Sequence, residues 1–138
     1  MKVIILGGKS DIGLNLSERF SGEGHEVLIW SRGDKVLEKE PWDVLIVTIG
    51  SMVPIGRFFD TTQELWNIAI TNNVMWPLYL LRKIYPSRRP NSTVIFFAGT
   101  NPNTTTSCYS AYTTTKIMLT TLVECLDPEE ATTLLLLR

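Results

Sequence analysis

Short unbroken apolar runs alternate along the chain with apolar positions at helical spacing, and polar or glycine-containing segments separate them. Residues 3–6 (Val3-Ile4-Ile5-Leu6) are β-prone and uninterrupted, the pattern of a strand buried on both faces. Gly7 and Gly8 stop this run. Beyond it, apolar positions fall at Ile12, Leu16, the stem of Arg19 and Phe20, with Leu14 to one side, and this period predicts a helix. Ser10 or Asp11 can cap its start, and Gly22 and Gly24 end it. Residues 27–30 predict a second strand, so the opening of the chain is a βαβ unit with a right-handed crossover.

The chain is then hydrophilic through Glu40, with room in residues 33–42 for one helical turn. Residues 44–49 predict a third strand, which Gly50 ends. Thr61-Thr62-Gln63-Glu64 fits a capping box, so a helix should follow with Leu65, Ile68 and Ala69 inward. Residues 74–85 are a second apolar helical stretch, in which Pro77 is tolerable only near the start. A fourth strand at 93–97 leads into a polar loop at 98–107 and a long helix at 109–126, closed by Asp127-Pro128. Residues 134–137 begin a fifth strand. This alternation predicts an α/β architecture, a doubly wound parallel sheet in one domain over residues 1–138.

Composition narrows the function classes. A chain of 138 residues with 44% hydrophobic and 20% charged residues can build one buried core. Thirteen Lys+Arg against fourteen Asp+Glu leave a net charge of −1, which argues against a surface devoted to nucleic acid. No apolar run approaches a membrane span, and no secretory signal is evident, so a cytoplasmic protein without a membrane or nucleic-acid partner is expected. Cys108 and Cys125 form neither a disulfide framework nor a metal set, and they read as reduced core or near-core thiols. Trp42, Trp66 and Trp76 read as packing residues, with a surface role left open for one of them.

Three segments can carry chemistry. Gly7-Gly8-Lys9-Ser10-Asp11-Ile12-Gly13 lies between a strand and a helix. Glycine lets the backbone turn tightly and approach a phosphate, and the helix start offers free N–H groups. Gly13 lets the helix pack closely on the strand; a ligand-free βα loop can have the same letters. At the end of the second strand stands Trp30-Ser31-Arg32, with no acid at the position that would bond an adenosine ribose. Arg32 and Lys9 can pair with a 2′-phosphate, which favours NADP(H) over NAD(H), unless both are ordinary solvated cations; Asp34 lies nearby. Third, Tyr112 and Lys116 are spaced i, i+4 and so share a helix face. A phenol titrates near ~10, and a neighbouring cation favours its ionised form, so such a pair can exchange a proton with a carbonyl or alcohol oxygen.

These residues resemble the short-chain dehydrogenase/reductase family, in a truncated and divergent form. Leu6-Gly7-Gly8-Lys9-Ser10-Asp11-Ile12-Gly13 is similar to its TGxxxGxG turn, with Leu6 for the Thr and Asp11 for the middle Gly. Residues 109–116 (Tyr109-Ser110-Ala111-Tyr112-Thr113-Thr114-Thr115-Lys116) resemble its active-site segment, and Thr48-Ile49-Gly50 stands where its NNAG motif would be. The similarity runs from residue 1 to about residue 126. It implies a Rossmann-type sheet in the order 2-1-4-5-6 of the family's strand labels, with one strand–helix unit missing after the second strand. It implies hydride transfer between NADP(H) and a small-molecule carbonyl or alcohol, with Tyr112 as acid/base and Lys116 beside it. Asn73, or Asn72 next to it, would order a water in a proton path. The cofactor would be held by Gly7, Lys9, Ser10, Asp11, Ile12, Gly13, Ser31, Arg32, Gly50 and Lys116. Helices at 62–85 and 109–126 would form a homo-oligomer contact. Two departures stand out. The substrate-polarising Ser falls here on Gly99, with Thr100 and Asn101 as adjacent donors, and the chain ends inside the fifth strand. A non-catalytic nucleotide-binding module and a fragment without activity of its own are the alternatives.

Overall fold

A computed structural model describes residues 1–99, 105–129 and 133–137. Five strands, β1 (Lys2–Leu6), β2 (Glu26–Trp30), β3 (Trp42–Val47), β4 (Arg88–Phe97) and β5 (Thr133–Leu137), form one sheet in the order β2-β1-β3-β4-β5. Every neighbouring pair is parallel. This is the doubly wound order expected, and residues 31–41 between β2 and β3 run in turns without a strand or helix. All five residues of β1 are buried, Lys2 included, and the apolar run of residues 3–6 suits a strand inside a sheet covered on both sides.

The two faces follow from the two-residue period of the strands. Ile4, Leu6, Leu45, Val47, Val94 and Phe96 point to one face, where helices α3 (Trp76–Ile84) and α4 (Ser110–Leu126) bring Leu80, Ile84, Leu119 and Val123 onto them. Val3, Ile5 and Ile46 point to the other, against Leu16 and Phe20 of helix α1 (Asp11–Gly22). At the opposite end from the strands' carboxyl termini, Asp43 accepts from the Lys2 N–H at 2.6 Å and from Arg89 at 2.8 Å, tying β1, β3 and β4 together. No helix among the described residues is long and apolar enough to cross a membrane.

Several elements differ from the pattern-based expectation. β3 starts at Trp42, whose buried indole donates to the Ile84 carbonyl at 3.0 Å, and it stops at Val47, with the Thr48 N–H still donating to the Leu6 carbonyl of β1 at 2.8 Å. β4 begins at Arg88, where it pairs with Trp42 before the register shifts. In α1 the buried residue is Gly13, set against the glycine turn, while Ile12 and Leu14 remain about half exposed and Arg19 is exposed. Cys125 is exposed and Cys108 half-buried, so neither is a core thiol. On α4 the inward row is Thr115, Leu119 and Val123, which leaves Cys125 half a turn away.

The two helices expected between residues 62 and 85 are one continuous run. Helix α2 (Gln63–Ile70), N-capped by the Thr62 hydroxyl on the Leu65 N–H, buries Ala69 but leaves Ile68 exposed, against the inward position its spacing suggests, and passes through a single wide π-type turn (Thr71–Met75) into α3. Pro77 supplies the cause. The α-helical partner of the Asn73 carbonyl would be the N–H of residue 77, and proline has none. The wide turn absorbs that missing bond and rotates Asn73 and Val74 into the interior.

Candidate active site

The glycine turn after β1 is built by close approach. A side chain on Gly7, whose φ is +96°, would begin 2.7 Å from the Thr48 hydroxyl, and one on Gly13 only 2.5 Å from the Gly7 carbonyl. The Gly7 carbonyl itself accepts from the Ser10 N–H at 2.9 Å, the Ser10 hydroxyl at 2.8 Å and the Thr48 hydroxyl at 3.0 Å. Ser10 is the N-cap of α1, its Oγ accepting from the Gly13 N–H at 3.0 Å, while Asp11 is the first helical residue. The first-turn N–H groups of Asp11 and Ile12 have no acceptor within the helix, and both residues line a crevice at the carboxyl ends of the strands. Thr48, noted in the sequence only as part of a motif remnant, ties this turn to the end of β3.

That crevice has two lobes sharing Ser10, Thr48 and Gly50. The first, about 260 Å³, is lined by Gly7, Lys9, Trp30, Ser31 and Arg32 on the β2 side and by Asn72 and Trp76 across from them. Arg32 donates to the Asn72 side-chain carbonyl at 3.1 Å. The Asp34 carboxylate folds back to accept from the Ser31 N–H at 2.8 Å. The Ser31 hydroxyl is buried and, among the described residues, has no hydrogen-bond partner.

The second lobe, about 540 Å³, is lined by Tyr112 and Lys116 together with Asp11, Ile12, Met52, Phe97, Gly99 and Leu137. Tyr112 and Lys116 thus share one face of α4, as their spacing predicts, with the ammonium 6.0 Å from the phenol ring centre. Lys116 donates to the Phe97 carbonyl at 2.8 Å, and burial pushes its ammonium below the ordinary lysine range. Gly99, with φ +82°, packs against the phenol: a Cβ built there would lie 3.2 Å from the Tyr112 Oη. Position 99 is therefore beside the phenolic oxygen, and it carries no hydroxyl. Thr100 and Asn101, the adjacent candidates, lie outside the described residues.

The two asparagines part company. Asn73 is fully buried: its amide donates to the Ser51 carbonyl and to the Thr115 hydroxyl, both at 2.9 Å, and accepts from the Ser51 N–H at 2.6 Å. It clamps the loop after β3 to α4, where a Cβ built on Gly50 would lie 3.5 Å from the Lys116 ammonium. Asn72 faces the first lobe and holds Arg32. The sequence offers the pair as alternatives for one role; in the structure they do two different things.

No protein-family model matches the sequence, and no curated protein does. Solved structures do match in shape. A small-chain dehydrogenase superimposes with a TM-score of 0.83 at 18% identity, covering 94% of this chain and 76% of that one. A small-chain dehydrogenase in complex with NADPH gives 0.83 at 18% identity, covering 94% of this chain and 64% of that one. A carbonyl reductase from Pseudomonas aeruginosa PAO1 gives 0.81 at 19% identity, covering 98% and 78%. The chain has the fold of short-chain dehydrogenase structures, the Rossmann-type architecture the resemblance implies.

Proposed function

We propose that the chain is an NADP(H)-dependent oxidoreductase acting on a small carbonyl or alcohol. The observation that carries this reading is the convergence of Tyr112, Lys116 and the glycine turn on one crevice at the carboxyl ends of the strands. A crevice in this place is where open α/β sheets take ligands. The residues fit a dinucleotide on their own geometry. Gly7 and Gly13 let the turn pack tightly against Thr48 and on itself, and the first turn of α1 that follows offers N–H groups and a positive dipole end. The unpartnered Ser31 hydroxyl, Arg32 and Lys9 meet in the first lobe, where a 2′-phosphate would find donors and cations. The bound nicotinamide supplies or accepts the hydride.

The remaining steps belong to the chain. The Tyr112 hydroxyl gives its proton to a carbonyl oxygen, or takes one from an alcohol. The Lys116 ammonium, anchored by the Phe97 carbonyl, stabilises the negative charge that develops on the phenolic oxygen. Asn73 has both side-chain donors committed, so a water in its keeping would be held through its main-chain carbonyl, the group that Pro77 leaves without its α-helical partner. Neighbouring structures under the names dehydrogenase and carbonyl reductase support the same chemistry. Exposed Ile68, Met75, Tyr79, Ile117 and Met118 on α2 to α4 support a homo-oligomer formed through these helices, which sedimentation velocity would read directly.

One observation favours a second reading. Gly99 puts no donor beside the Tyr112 hydroxyl, which suits a module that binds the nucleotide without turning over. Loss of such a donor costs roughly 10²–10³ in rate. Fluorescence titration with NADPH and NADH, on the chain and on Arg32→Glu, tests the binding reading. NADPH should bind the wild type more tightly than NADH, and Arg32→Glu should weaken NADPH roughly tenfold or more. Equal NADPH affinity in both proteins removes the 2′-phosphate assignment. No binding at all removes the dinucleotide.

A further inference from the structure

The first lobe of the crevice has a feature its phosphate chemistry does not use. Two indoles, Trp30 and Trp76, stand in its wall with ring centres 6.3 Å apart and planes inclined by 36°. Trp30 is buried, and its N–H donates to the Asp34 carbonyl at 3.1 Å, so its ring is fixed. Trp76 is 38% exposed although it is the first residue of a packed helix. Tyr79 meets it edge-on, with centres 5.6 Å apart and planes at 89°, which holds its ring as well. The chain thus keeps a large, rigid, partly exposed aromatic surface beside Lys9, Arg32 and Asn72. The turns of residues 31–41 raise no strand or helix on that side of the crevice.

We infer that Trp76, backed by Trp30, is the platform on which the adenine ring of the dinucleotide stacks, while the Asn72-held Arg32 meets the ribose phosphate. This rests on the dinucleotide reading above and adds to it the residue that binds the base. An aromatic face is suited to a purine because base–aromatic stacking needs no hydrogen-bond pattern, and it contributes roughly a tenfold or greater gain in affinity per base. The alternative use of an exposed tryptophan on α3 is a contact with a second copy, which the test separates.

The probe is adenosine 2′,5′-bisphosphate, which carries the adenine and the 2′-phosphate without the nicotinamide. Its affinity is measured by calorimetry on the chain and on Trp76→Ala and Trp76→Phe, with intrinsic tryptophan fluorescence followed in parallel and NADPH titrated separately. The expected result is quenching in the wild type, roughly tenfold weaker binding in Trp76→Ala, and near-wild-type affinity with reduced quenching in Trp76→Phe. Trp76→Phe keeps a ring in place, so its signal stands even if the alanine variant fails to fold. Wild-type affinity in a folded Trp76→Ala, or affinity unchanged while the oligomer dissociates, overturns the platform and leaves dinucleotide binding intact. Failure of the wild type to bind NADPH overturns both.

Discussion

Replacing Gly13 with alanine sets two known effects against each other, and the structure decides the sign. In an ordinary helix interior the exchange would stabilise by up to about 1 kcal/mol through helix propensity. Here the new methyl would sit 2.5 Å from the Gly7 carbonyl oxygen, 2.9 Å from the Gly8 Cα and 3.0 Å from the Ser10 Oγ. Two of these are backbone atoms, so no side chain can swing away. The Gly7 carbonyl is also the acceptor for Ser10 N–H, Ser10 Oγ and Thr48 Oγ1, and shifting it strains all three bonds. Overpacking costs about 1–3 kcal/mol, and each weakened bond about 0.5–1.5 kcal/mol. The net expectation is destabilisation by about 2–3 kcal/mol, a loss of roughly 5–15 °C in Tm for a domain of this size. Urea unfolding gives the free energy, and NADPH titration should show weakened binding in the variant under folding conditions. A Gly13→Ala protein as stable as the wild type, or more stable by the propensity increment, would refute the close-approach argument for this turn.

Two further expectations follow from charges at the same crevice. Burial holds the Lys116 ammonium below the ordinary lysine range, so keeping it charged costs stability at neutral pH. That cost fades as pH rises from the folded-state pKa toward the ordinary lysine value, because there the unfolded chain binds the extra proton. The unfolding free energy of Lys116→Met relative to wild type should therefore fall as pH is raised from neutral to about 10, on top of a constant offset for the lost bond to Phe97. A difference independent of pH would contradict the desolvation. Asp11 places a carboxylate in the first turn of α1, beside the expected phosphates. Asp11→Asn should tighten NADPH binding by up to about fivefold at low salt and by less at high salt, whereas unchanged affinity at both would put the phosphates elsewhere.

The parallel sheet was legible because Val3-Ile4-Ile5-Leu6 and its partner runs are apolar without interruption, and only burial on both faces explains such runs. Tyr112 and Lys116 were legible for a similar reason, since helical spacing alone puts them on one face. Other features depend on contacts distant in sequence. Nothing local marks Trp42 as the start of β3; the Ile84 carbonyl, far along the chain, fixes it. The division of labour between Asn72 and Asn73 comes from a wide turn that Pro77 induces, a backbone effect that apolar spacing does not encode. Thr48 was read as a departure from a motif, and its role as the link between two strand ends needed the geometry of both. Ile12 reads as inward by periodicity, yet it stands open because Gly13 occupies the contact with the turn.

The central claim is that the Tyr112 hydroxyl exchanges the proton that accompanies hydride transfer in the second lobe. Its most direct test is single-turnover oxidation of NADPH by the wild type and Tyr112→Phe across a panel of aldehydes and ketones, with NADPH affinity measured on both proteins. The account predicts turnover in the wild type and a loss of about 10²-fold or more in Tyr112→Phe, at unchanged NADPH affinity. Equal rates in the two proteins would contradict it.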